Sequence, residues 1–77
     1  MKKLILFSTS ACHLCEQAYA VIESYSEHPI ELRVVDIADD DALIEQYGVR
    51  IPVVMLEDSE HDLGWPFDLA QLARYLN

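Results

Sequence analysis

The feature that most restricts this sequence is a pair of cysteines two residues apart. It lies in Ser8-Thr9-Ser10-Ala11-Cys12-His13-Leu14-Cys15, between the apolar run Leu4-Ile5-Leu6-Phe7 and a helical pattern. The chain has no other cysteine. Where a strand hands over to a helix, the unpaired amides of the first turn can activate one sulfur while the second lies close enough to trap it. A structural staple is the poorer reading, because a bridge between Cys12 and Cys15 closes a ring of only four residues. The chain-entropy model assigns little stabilisation to so short a closure. The pair therefore reads as a thiol–disulfide exchange site.

The rest of the chain places that pair. Leu4-Ile5-Leu6-Phe7 does not alternate, as expected of a strand covered on both faces. Ser8-Thr9-Ser10 then supplies hydroxyls for turn and cap hydrogen bonds. From Cys12 to about Ser26, Cys15, Ala18, Ile22 and Tyr25 recur at helical spacing, with Leu14 and Val21 widening the stripe. This puts Cys15 on the buried face and Cys12 one turn earlier, at the exposed helix start. Glu27-His28-Pro29 breaks the helix, and Ile30 to Ile37 reads as a second strand, parallel to the first across a right-handed helical crossover. Asp39-Asp40-Asp41 caps a short helix carrying Leu43, Ile44 and Tyr47, with Gly48 at its C-terminal end. Val53-Val54-Met55-Leu56 is a third strand, Asp58-Ser59 a turn, and Glu60 to Leu63 an edge strand stopped by Gly64-Trp65-Pro66. Leu69, Leu72, Ala73 and Leu76 form the stripe of a last helix beginning near Phe67 or Asp68.

Size and charge narrow the function classes. The 77 residues make one domain, 1–77, and 52% of them are hydrophobic, enough for a core. Fourteen acidic against five basic residues give a net charge of −9. That balance disfavours nucleic acid and anionic membrane, since no basic stripe is present to meet phosphates. Met1 to Phe7 superficially resembles a signal peptide, but four consecutive apolar residues fall short of the roughly 7–15 of a secretory core. A cytoplasmic location is expected, and there a cysteine pair is more often catalytic or metal-binding than a stable bridge.

Three features now coincide: the Cys-x-x-Cys at the strand-to-helix junction, Pro52 at the opening of the third strand, and a ββα ending. Together they resemble the thioredoxin fold, and at this length its glutaredoxin-like branch, over essentially the whole chain. The resemblance implies an α/β fold of order βαβαββα with a four-stranded mixed sheet flanked by helices. It also implies that Tyr47-Gly48-Val49-Arg50-Ile51-Pro52 leads into a cis proline beside the active site. On that basis Ile51 and Pro52 offer backbone groups to an extended substrate. Arg50, considered by itself, either receives a substrate carboxylate or is simply solvated. Glutaredoxins usually carry Pro-Tyr between the cysteines and a basic residue shortly before them, whereas this chain has His13-Leu14 and Ser8-Thr9-Ser10-Ala11. Ahead of the last helix, where glutaredoxins have Gly-Gly, then Ser or Cys, then Asp, it has Gly64-Trp65-Pro66-Phe67-Asp68. Glutathione stays possible as a reductant, but its binding motifs are weak. The altered corner resembles a group of small bacterial glutaredoxin-like proteins.

The exchange reading assigns unequal roles to the two sulfurs. A free cysteine has a pKa of about 8.5, and a helix N-terminus favours its anion. Cys12 is thus the nucleophile and Cys15 the resolving thiol. His13, if cationic, tunes the Cys12 thiolate; if neutral and exposed, it does nothing. Two rival classes remain. A metal or iron–sulfur module would use Cys12, His13 and Cys15, but a closed zinc site wants four protein ligands, and His28 and His61 are isolated. A redox-inert adaptor would use the fold as a binding surface alone. The expectation is an enzyme with no bound metal or cofactor. It acts as a monomer on protein or small-molecule disulfides, with a reductase or glutathione as electron donor.

Overall fold

Leu4-Ile5-Leu6-Phe7 is apolar on both sides because it forms the centre of a strand packed on both sides. In the computed structural model, which describes residues 1–77, this strand is β1 (Lys2–Ser8). It is followed by α1 (His13–Ser24), β2 (Ile30–Asp36), a 3-10 turn (Ile37–Asp39), α2 (Asp41–Tyr47), β3 (Val53–Leu56), β4 (Asp62–Gly64) and α3 (Leu69–Leu76). The sheet order is β2-β1-β3-β4, with β1 parallel to β2 and antiparallel to β3, and β3 antiparallel to β4. This is the mixed four-stranded sheet and the βαβαββα order expected, with the 3-10 turn added.

The two-residue period of the strands divides the core. Leu6 pairs with Val54 and, with Leu4, faces Ala18 and Ile22 of α1 and Leu72 and Leu76 of α3. Phe7 pairs with Val53 and faces Ile37 and Tyr47, on the side of α2. Phe7 and Tyr47 stack with ring centroids 4.3 Å apart. Two clusters thus cover the two faces of one sheet, and the helix that carries the cysteines is held by the larger.

Helix boundaries follow from caps. Asp40 accepts from the amides of Ala42 and Leu43 and starts α2. Asp68 and Gln71 form a reciprocal capping box that starts α3 one residue after Asp68. Helix α1 ends at Ser24 rather than Ser26, because Tyr25 turns extended and its amide bonds back to Ile22. Leu14, read as part of the buried stripe, stands exposed. One residue before Cys15 it is rotated about 100° around the helix, away from the sheet. Gly48 caps the C-terminal end of α2 as expected, with a right-handed helical backbone and its amide donating to the Ile44 carbonyl. Glycine fits there because a Cβ would run into the Ile44 carbonyl.

Tyr75, outside the expected stripe of α3, links that helix to the β3–β4 hairpin. Its hydroxyl accepts from the Leu56 amide at 3.0 Å and donates to the His61 carbonyl. Tyr25 sits at the end of α1, its hydroxyl donating to Asn77 at 3.3 Å. Burial, and then Glu27, push its pKa up. No helix is long and apolar enough to cross a membrane.

Candidate functional site

Strand β1 ends at Ser8, and four residues later the chain enters α1 with Cys12 as its N-cap. The cap is a sulfur. Cys12 Sγ accepts from the Cys15 amide at 3.2 Å, the interaction a serine or aspartate oxygen usually makes at this position. Neither Ser8 nor Ser10 caps the helix; the Ser8 hydroxyl donates to the Thr9 carbonyl at 3.4 Å. Cys12 and Cys15 are joined as a disulfide with Cα atoms 5.2 Å apart. Cys15 is 5% exposed within the α1 stripe, while Cys12 is half-buried at the helix start. Cys12 is thus the more accessible of the two residues, and Cys15 lies one turn further into the helix.

The approach to Cys12 needs an unusual backbone. Ala11 has φ 56°, in the left-handed region that side chains with a Cβ avoid. An Ala11→Gly substitution removes a cost of about 1 kcal/mol while adding unfolded-state freedom of about half that size. The expected net gain is about 0.5 kcal/mol, measured as a higher urea midpoint of the oxidised protein; a lower midpoint would contradict it.

The antiparallel register Phe7 to Val53 brings the residue before β3, Pro52, to the same end of the sheet as Ser8 and the Cys12 loop. The Ile51–Pro52 bond is cis, as the resemblance implied, and Pro52 is fully buried. Its carbonyl accepts from the Trp65 amide at 3.0 Å, and Ile51 packs on the Phe7–Tyr47 cluster. Arg50 is engaged within the protein. Its guanidinium makes a forked pair with Asp62, at 2.6 and 3.2 Å, and lies over the Tyr47 ring. The hydrogen bond to Asp62 raises its pKa further. His13 is 82% exposed on the first turn of α1, with Nδ1 3.5 Å from a Glu16 carboxylate oxygen.

The corner before α3 is built differently from the glutathione-binding pattern. Trp65–Pro66 is a second cis bond, Phe67 is buried in the larger cluster, and Trp65 packs edge-on to it at 5.1 Å. The Asp68 carboxylate accepts from the Gln71 amide at 2.8 Å. Two residues that no motif singles out, Tyr19 and Val34, flank the disulfide, and both line a cleft shared with Cys12 and Cys15. The available signal was Val34-Val35 on β2, where consecutive apolar residues must face opposite sides.

The sequence matches the model of the glutaredoxin-like domain family (DUF836) over residues 3–77. No curated protein matches it. Among solved structures it is similar to the structural genomics target protein XcR50 from X. campestris, at 36% identity and TM-score 0.82, covering 95% of this chain and 93% of that one. Protein Ne2328 from Nitrosomonas europaea is 27% identical with TM-score 0.82, covering 99% and 92%. Thioredoxin 1 from Thermosipho africanus TCF52B, at 22% identity and TM-score 0.63 over 96% and 93%, shares the fold.

Proposed function

Because the chain belongs to the glutaredoxin-like domain family, we propose that it is a thiol–disulfide oxidoreductase in which Cys12 is the nucleophile and Cys15 the resolving thiol. The observation that carries this reading is the unequal placement of the two sulfurs: Cys12 half-exposed at a helix N-cap, Cys15 buried one turn on. In the reduced protein the Cys15 amide and the first-turn dipole favour a thiolate at Cys12. That thiolate attacks one sulfur of a substrate disulfide and expels the other as a thiolate. Cys15 then gives up its proton and attacks Cys12 Sγ, releasing the second substrate thiol and leaving the Cys12–Cys15 disulfide. Two electrons pass from the dithiol to the substrate, and the pair is reset by an external thiol reductant.

Neither half-reaction calls for a metal or a resident cofactor. The working compartment of such a reductant is a reducing one, the cytoplasm, with glutathione or a reductase as donor. A Cys15→Ser variant is expected to stop after the first attack and accumulate a mixed disulfide through Cys12, seen by mass spectrometry as an adduct that dithiothreitol removes. An absent adduct, or one mapped to another residue, would refute the assignment.

A further inference from the structure

Beside the disulfide, α1 and the edge strand β2 leave a cleft of about 390 Å³. Its floor is Leu6, its walls are Tyr19 and Val34, and the two cysteines close one end. Val34 is 55% exposed, although it lies on the sheet face that packs on α1. It points to the α1 side because it pairs with Leu6, but it stands beyond the reach of the helix. The surrounding charge has one sign. Glu16 lines this cleft, Asp36 lines its continuation past Thr9, and Glu23 lines the continuation past Tyr19. None of the five lysines and arginines lines any of the three. Arg33 alternates to the opposite sheet face, 3.9 Å from Glu57. The imidazoles nearby are His13, beside Glu16, and His28 at the far end.

We propose that this cleft is a substrate subsite for a cationic polypeptide disulfide. It takes an apolar side chain close to the attacked half-cystine, with a lysine or arginine beyond it meeting the acidic rim. The proposal rests on the exchange reading above and names the substrate class of that site. An extended segment suits the cleft for two reasons. The outer edge of β2 has no partner strand and presents free backbone groups. In an extended chain, side chains two apart share a face, so a residue two positions from the cysteine can enter the cleft while the sulfur meets Cys12. Glutathione has no such side chain and is itself anionic, so this surface discriminates against it.

The test uses reduced protein in single turnovers with short peptides whose one cysteine is held as a 2-thiopyridyl disulfide. Attack by Cys12 on the peptide sulfur releases pyridine-2-thione, read by absorbance. The peptides carry Leu or Ser two residues to either side of the cysteine, and Lys or Glu beyond. Every rate is divided by that of the same protein with hydroxyethyl 2-pyridyl disulfide, so that changes in thiol chemistry cancel. Burial of one leucine in a half-open cleft is expected to make the better-placed Leu peptide about tenfold faster than its Ser counterpart. Lys over Glu is expected to give about threefold at low salt, vanishing at high salt. Val34→Glu and, separately, Tyr19→Ser are each expected to bring the Leu-to-Ser ratio close to one. A wild-type ratio near one, or a ratio that neither variant lowers, overturns the subsite and leaves the exchange reading standing. No reaction with the hydroxyethyl compound overturns the exchange reading, and the subsite with it.

Discussion

Replacing Cys12 by serine is expected to reduce disulfide reduction at least about a thousandfold, to the uncatalysed background, because a hydroxyl does not ionise near neutral pH and is a far poorer nucleophile toward a disulfide than a thiolate. The fold is expected to survive the change. Cys12 is the N-cap of α1 and its side chain accepts from the Cys15 amide. Serine is among the strongest residues at that position. The variant should therefore unfold at a urea midpoint no lower than that of the reduced wild type, which separates lost chemistry from lost structure. Cys15→Ser provides the contrast. Its serine sits on the buried stripe of α1, where an added hydroxyl costs about 1–2 kcal/mol unless a partner is found. It nonetheless keeps the first attack. Thiol release measured by rapid mixing distinguishes the two: Cys15→Ser gives a single stoichiometric burst, Cys12→Ser none. A burst from Cys12→Ser and none from Cys15→Ser would exchange the roles of the two residues.

Much of the layout that produces this asymmetry was readable from local pattern. The unbroken apolar run of β1, the spacing of Cys15, Ala18 and Ile22, and the capping residues Asp40 and Asp68 are signals carried within one turn or one strand. The order of elements followed from them, and the cis bond at Pro52 from family resemblance rather than from any residue pattern. What escaped depends on contacts distant in sequence. Arg50 gives no sign in the chain that Asp62, twelve residues on, will hold it. Nor does Tyr75 give any sign that it will bridge to Leu56 and His61. Leu14 lies beside the apolar stripe, and an apolar residue there resembles part of it until the helix is rotated onto the sheet. Val34 and Tyr19 show the same limit in reverse. Val34 shares the sheet face of Leu6, and Tyr19 lies one turn beyond Cys15, but α1 does not cover the outermost strand, and only the packed sheet reveals the cleft left over.

The cost of losing the scaffold beneath the site is expected to appear most plainly at Leu72. This side chain is 0% exposed, in the cluster that joins α3 to Leu4 and Leu6 of β1 and to Ala18 and Ile22 of α1. Leu72→Ala removes buried methyl groups and leaves a cavity between rigid elements, a change costing about 3 kcal/mol. A domain of this length has a total stability of roughly 4–12 kcal/mol, so that loss is a large share of it. The expected fall in Tm is about 15 °C, at about 4–8 °C per kcal/mol for a chain of this size. Leu69→Ala, one turn earlier on the same helix but 42% exposed, is expected to cost less than about 1 kcal/mol. Calorimetry of the two oxidised variants compares equal chemistry at unequal burial. Similar losses in both would mean that α3 is held by its own helical propensity rather than by its seat on the sheet. Cys15 is carried on α1, and α1 meets α3 through the same cluster. A Leu72→Ala protein that still folds at low temperature should therefore exchange disulfides at close to the wild-type rate there, and lose that activity along the same thermal transition as its structure.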